Sequence, residues 1–281
     1  AYEMLRSLVG SEMCIRDSPY RWMTIGKELA HIEHAQIEDV KAFFFKHYRP
    51  VNAILVVAGN VQTDKVRTLA EKWFGDIPMG EKYQRNLPVE PKQAAPRKAV
   101  YHADVPLDAF IKTWHIAGRL DKGYYVADLI TEILGGGGSS RLYQALVKER
   151  QLFSSLDCYH FGSIDAGLLA IEGKLVKGVS METAAEAVDN EVARMRMEKV
   201  SDTELQKVKN KTESVIAFED MSVMSRAGSL ALYELLGDAQ LMNTELQKYH
   251  AVTAEDILEY SQDIFDENNS NTIFYYSKPN R

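Results

Sequence analysis

The chain has 281 residues, 46% of them hydrophobic, enough to bury one large core or two ordinary ones. Its 33 basic and 40 acidic residues give a formal charge of −7 with no basic patch, which argues against a nucleic-acid partner. No apolar run approaches the ~18 residues of a membrane span, and two cysteines, Cys14 and Cys158, are too few for a disulfide framework or a thiolate zinc site.

The chain opens without Met and reads as truncated, and Ala1 to Arg6 lacks the basic start and apolar run of a signal peptide. Ser7 to Ser18 (SLVGSEMCIRDS) joins neither neighbour in periodicity. It resembles a translated adapter sequence and is expected to be non-native. From Pro19 the pattern is coherent. Ile37 to Tyr48 predicts a short helix with Val40, Phe43, Phe44 and Tyr48 on one face, stopped by Pro50. Ala53 to Ala58 (AILVVA) is a continuous apolar run suited to a buried strand. Thr63 is placed to cap a helix whose Val66, Leu69, Ala70, Trp73 and Phe74 share a face. Residues 80–97 carry prolines without apolar period and read as a linker between residues 1–79 and a second domain, 98–281.

In that second part, strands are expected at Ala99–Val105 and Ala109–Ile116, then a helix with Val126, Leu129, Ile130, Ile133 and Leu134 on one side. The helix runs into LGGGGSSRLYQALVKER, Leu134 to Arg150, where another helix opens at Ser139 or Ser140. Four glycines leave bare backbone amides and carbonyls beside that opening, which suits either a flexible turn or a binding loop. Strands follow near Ser155–Phe161 and Gly167–Leu175, then a helix capped by Ser180. Ser201 and Glu204 form a capping box opening a helical region to Leu236, with a break expected near Phe218–Met221. Strands with helices grouped between them predict an α+β fold, an antiparallel-rich sheet layered on helices.

One internal match stands out. Glu38-Asp39-Val40 precedes an aromatic helix, Asn52 and an apolar strand; Glu255-Asp256-Ile257 precedes Tyr260, Phe265, Asn269 and the segment Thr272 to Tyr276. Asp39 and Asn52 stand as far apart as Asp256 and Asn269, the pattern of a duplicated domain. If the copies are alike, roughly 120 residues of the first lie upstream of residue 1.

These residues resemble the pitrilysin/insulinase family of zinc metallopeptidases in its short, two-domain bacterial form. The resemblance rests on PYRWMTIG (Pro19 to Gly26), EDVKAFFFKHYRPVNAILVVAGNV followed by AEKWFGDIP, and LGGGGSSRLYQALVKERQL, in that order. It implies two duplicated α+β halves closing around an unfolded peptide, and leaves the compartment open between bacterial cytoplasm and periplasm. It also implies zinc in the intact parent, held by a helical H-x-x-E-H motif and a downstream Glu; this chain contains no such motif, so no catalytic or metal residue is assigned to it. His31-Ile32-Glu33-His34 is one residue short of the motif, with Glu33 beside His34, and is read as a solvated loop. His102, His115 and His160 fall in strand-like segments and are read as structural, His47 and His250 as helix-surface residues. Many relatives carry an Arg and a Tyr seven residues apart that contact substrate; those positions are Val147 and Ser154 here, which puts the side-chain role in doubt.

The residues expected to face substrate are therefore Gly135, Gly136, Gly137, Gly138, Ser139, Ser140 and Arg141, the last in a structural pairing around the turn. The expected function is the C-terminal, chamber-forming part of a zinc-dependent endopeptidase, inactive by itself. The alternative is a non-catalytic partner or scaffold subunit of the same fold, in a homo- or hetero-oligomer.

Overall fold

The computed structural model describes residues 28–162 and 164–278. The readings of Ser7 to Ser18 and of Pro19 to Gly26 fall outside the described residues.

Three helices open the described chain: α1 (Leu29–Glu33), α2 (Ile37–His47) and α3 (Thr63–Phe74). The His31–His34 segment is thus helical rather than a loop, with Glu28 at its start. At the start of α2, Asp39 Oδ2 accepts from the Gln36 backbone N–H at 3.1 Å, satisfying a donor the helix leaves orphaned. Thr63 is the first helical residue of α3 rather than its cap; Gln62 holds that place and makes no side-chain bond. The strand predicted at Ala53–Ala58 does not form. The segment is irregular and Leu55 is 59% exposed, because no neighbouring strand among the described residues offers it a ladder.

The chain continues through β1 (Arg97–Ala103), β2 (Ala109–Ile116), α4 (Lys122–Gly135), a π-helical segment (Tyr143–Glu149), β3 (Phe153–Phe161), β4 (Gly167–Leu175), α5 (Met181–Met197), α6 (Asp202–Glu219), α7 (Val223–Leu235), α8 (Glu245–Ala251), α9 (Ala254–Ile264) and β5 (Ser270–Ser277). Two units result. Among the described residues, one takes in 89–212 and 247–278, the other 28–88 and 213–246. The break expected in the long helical region lies between α6 and α7, where Ser222 Oγ accepts from Ser225 N–H at 3.2 Å and caps α7 afresh.

The first unit holds a mixed sheet in the order β1-β5-β2-β4-β3. The β1–β5 pair is parallel; the β5–β2, β2–β4 and β4–β3 pairs are antiparallel. This is an α+β layer. Phe110, Gly173 and Leu156 stand opposite one another across β2, β4 and β3 and so share a face. On the same face Trp114 meets Phe265 edge-on at 4.9 Å, and Lys112 reaches Asp189 of α5 at 2.6 Å. The α4 side chains predicted to face inward, Val126, Leu129, Ile130, Ile133 and Leu134, are all buried.

The two helix-and-strand copies share local structure. Each helix is followed by a short 3₁₀ turn ending in Asn, Pro50–Asn52 and Glu267–Asn269. Asn52 Nδ2 donates to His47 O and Asn269 Nδ2 to Ile264 O, each five residues back. They part company afterwards. Asn269 also reaches His115 O and leads into β5, whereas Asn52 leads into no strand.

Candidate functional site

The glycine run forms a turn between α4 and the π-helical segment, and two of its glycines, Gly135 and Gly137, have distinct physical reasons. A Cβ on Gly135 would lie 2.2 Å from Cys158 N, so only glycine lets α4 end against the backbone of β3. Gly137 has φ +99°, which L side chains rarely adopt, and a Cβ there would meet nothing. The turn therefore has a fixed root at Gly135 and an open tip at Gly137 and Gly138.

Backbone bonding makes the turn one-sided. Gly135 O accepts from Gly137 N–H at 2.7 Å, and Gly137 O from Ser140 N–H at 3.0 Å and from Ser140 Oγ at 2.7 Å. Lys211 Nζ reaches Gly136 O at 3.1 Å, Lys207 Nζ reaches Ser139 O at 3.2 Å, and Gln144 Nε2 donates to Gly138 O. Carbonyls from Gly135 to Ser139 are thus all engaged within the unit. Lys207 and Lys211 stand one helical turn apart on α6, so one face of that helix clamps the turn.

Arg141 makes the structural pairing. Its Nε and Nη2 donate to Glu204 Oε1 and Oε2 at 3.0 and 2.7 Å, a bidentate fork with both side chains largely buried. The bonds to Glu204 raise the guanidinium pKa further, so the charge is permanent. Ser201 Oγ accepts from Glu204 N–H at 3.2 Å, but the Glu204 carboxylate goes to Arg141 instead of completing the predicted box.

The helix predicted after the turn is π-helical. Arg150 N–H bonds to Ala145 O, and Gln151 follows at φ +52°, a left-handed conformation rare outside glycine. Val147 lies in the π-helical segment. Ser154 is held on the sheet edge by its Oγ donating to Lys174 O at 3.1 Å. Neither position offers a guanidinium or a phenol. Nearby, Tyr159 donates its hydroxyl to Glu172 Oε2 at 2.7 Å, and Arg150 is exposed.

A second polar network escaped the sequence. Asp128 on α4 pairs with His160 Nδ1 on β3 at 3.2 Å and accepts from Tyr249 Oη on α8 at 2.7 Å, while Tyr124 meets His160 edge-on. Burial pushes the Asp128 carboxyl up, but His160, Tyr249 and Arg119 together outweigh it and hold the carboxyl below its ordinary range. These residues lie too far apart along the chain to make a motif, and no local pattern marks them.

Among the described residues no three His, Cys, Asp or Glu side chains converge on a point where an ion could sit. His34 Nδ1 bonds to Ala30 O at 2.7 Å and His31 Nε2 lies 4.0 Å from Glu28, so each ring has a partner on its own helix. Cys158 is buried, which drives its thiol pKa strongly upward and away from thiolate chemistry. These described residues do not fit a zinc site.

Residues 34–212 match the family model described as the peptidase M16 inactive domain. The zinc protease PqqE of Helicobacter pylori is 26% identical over 265 residues, covering 91% of this chain and 58% of that protein. A protease structure from Helicobacter pylori superposes with a TM-score of 0.90 at 24% identity, over 99% of this chain and 67% of that one. A chain of complex III2 from Candida albicans superposes with a TM-score of 0.80 at 18% identity, over 95% of this chain and 66% of its own length. The chain spans little more than half the length of the curated relatives it matches, 58% and 55% for the first two.

Proposed function

The chain belongs to the M16 peptidase family through that inactive-domain match, and on this premise we propose that it forms the non-catalytic, chamber-closing part of a zinc-dependent endopeptidase. The match to the inactive domain over residues 34–212 carries the reading, and the names of relatives such as the Helicobacter pylori zinc protease support its zinc chemistry. The proposed division sets residues 1–79 in the first half, 80–97 as linker and 98–281 as the second, non-catalytic half, with 7–18 outside the native sequence. Zinc and its water would be held by residues upstream of this chain. In the proposed role, the residues here orient an unfolded peptide.

The glycine turn, Gly135 to Arg141, is the proposed substrate-facing element. Because its carbonyls are bonded within the unit and the Gly137 N–H donates to Gly135 O, it meets a peptide chiefly through the amide N–H of Gly138 at the tip, which donates to a peptide carbonyl. Arg141, locked to Glu204, holds the turn in place without touching substrate.

The test is to express the longer gene product and measure cleavage of an unfolded peptide with and without a chelator. Chelator-sensitive cleavage, absent from residues 1–281 alone, is expected. A folded long product that neither binds zinc nor cleaves sinks the peptidase reading. Replacing Gly137 and Gly138 with Ala in the active product tests the turn: a raised KM is expected, and an unchanged KM removes it from the substrate path.

A second reading, a non-catalytic partner or scaffold subunit, is favoured by Val147 and Ser154 and by the likeness to a chain of the complex III2 assembly. Co-purification of the long product with a zinc-bearing homologue, which alone is inactive, would establish it.

A further inference from the structure

The residues ahead of β1 form neither helix nor strand, and among the described residues no backbone-to-backbone hydrogen bond involves residues 84–92. Proline nonetheless restricts them. Pro88 and Pro91 are held near a φ of about −65°, and the residues before them, Leu87 and Glu90, are kept out of the helical region. Leu87, Pro88, Glu90 and Pro91 are thereby steered toward polyproline II, a left-handed helix of about three residues per turn without internal hydrogen bonds.

Burial follows that period. Leu87 and Glu90 are half-buried and Gln93 is buried, so these three form one inward edge. Its end is anchored, because Gln93 Nε2 donates to Ala95 O and Ser270 O, both at 2.9 Å. Pro88, Val89, Pro91 and Lys92 are exposed, Val89 at 86%. The two prolines therefore share an outward edge, about 9 Å apart. Arg85, also exposed, continues that edge one turn earlier, in the order Arg-x-x-Pro-x-x-Pro.

We propose that residues 85–92 are a docking segment for a partner protein domain whose groove is lined by aromatic rings and carries a carboxylate at one end, the chemistry of an SH3-type groove. Proline rings pack on aromatic faces with little side-chain freedom to lose, and a polyproline II backbone keeps its carbonyls available to donors in the groove. Glu90 belongs to the inward edge and its Oε1 is buried, so the charges on the outward side of this segment are the cations Arg85 and Lys92. A partner that adds a strand fits less well, because the two prolines have no N–H for a ladder. The proposal involves no residue of the glycine turn and stands apart from the peptidase reading.

The probe is an isolated, isotope-labelled SH3 domain that selects a basic residue ahead of PxxP, titrated with the full chain and with a free peptide of residues 84–93. Saturable shifts of its groove resonances are expected from the full chain, at an affinity no weaker than the peptide's, because the anchored segment has less freedom to lose. Replacing both prolines, Pro88→Ala with Pro91→Ala, is expected to weaken binding by at least roughly tenfold, and Arg85→Glu by roughly threefold or more. Val89→Ala, on a different edge, is expected to leave affinity within about twofold. All four positions are exposed and outside the sheet, so circular dichroism should match the parent. Absence of saturable shifts, or affinity unchanged in the double proline variant, overturns the proposal. So does binding by the peptide and not by the full chain, which would show the edge covered, and so does loss of binding in Val89→Ala, which would mark an unspecific apolar contact.

Discussion

The α2 segment and the α9–β5 segment begin with the same instructions and end differently. In both, an Asp in the first helical turn accepts from the backbone at the helix start, and an Asn reaches five residues back to close the end. Yet α9 buries Ile257, Ser261 and Ile264 and hands the chain to the middle of a sheet, while α2 buries nothing and leaves Phe43, Phe44 and Phe45 each at least half exposed. Caps and turns are local, and short sequences specify them. Strands and buried faces need partners, which the first copy lacks among the described residues.

The largest effect expected separates the two copies most directly. Trp114→Ala removes the ring that α9's neighbour Phe265 packs on and is expected to cost about 3–5 kcal/mol in urea unfolding. Phe44→Ala is expected to stay within about 0.5 kcal/mol. Equal losses would break the comparison, showing that the α2 face is covered in solution. Next comes Gly135→Ala, which drives a methyl into the β3 backbone; a loss of about 1–3 kcal/mol is expected, against no more than about 1 kcal/mol at the open Gly138.

Asp128 ties α4, β3 and α8 together, a link without counterpart in the α2 segment. Its carboxyl is held below the ordinary value near ~3.9, so its contribution is fully present above that pH and is lost as pH falls through the lower folded value. Asp128→Asn should lower the urea midpoint at pH 6 and flatten its decline below roughly pH 4. A parallel decline in both proteins would remove Asp128 from the acid limb. The smallest difference lies in the caps. Thr253→Ala removes a hydroxyl that accepts from Asp256 N–H and is expected to cost about 1 kcal/mol, while Gln36→Ala, whose side chain accepts no cap bond, should cost a few tenths.

The sheet strands at 109–116 and 167–175, the inner face of α4, the Ser180 cap and the break before α7 could all be read from periodicity and capping residues. The failures have a common cause. Ala53 to Ala58 has ideal strand composition and no strand beside it among the described residues. Glu204 has the spacing of a capping box, but a guanidinium from far along the chain offers two bonds in place of one. The π-helical turn after Arg141 depends on shifting each backbone bond by one residue, which side-chain patterns do not encode. In the glycine turn, composition announced bare backbone; that α6 would silence its carbonyls through Lys207 and Lys211 required the tertiary fold. The Asp128–His160–Tyr249 network was illegible for the same reason.

The position of β5 has a consequence for biosynthesis. It lies between β1 and β2, pairing with both, although some 150 residues separate it from them along the chain. As the ribosome releases the chain, β2, β3 and β4 can assemble as an antiparallel three-stranded sheet in the order β2-β4-β3, but β1 has no place to join until residues 270–277 emerge. The sheet is therefore closed by one of the last segments made, and a nascent chain stalled before it would display two unsatisfied strand edges to chaperones and proteases.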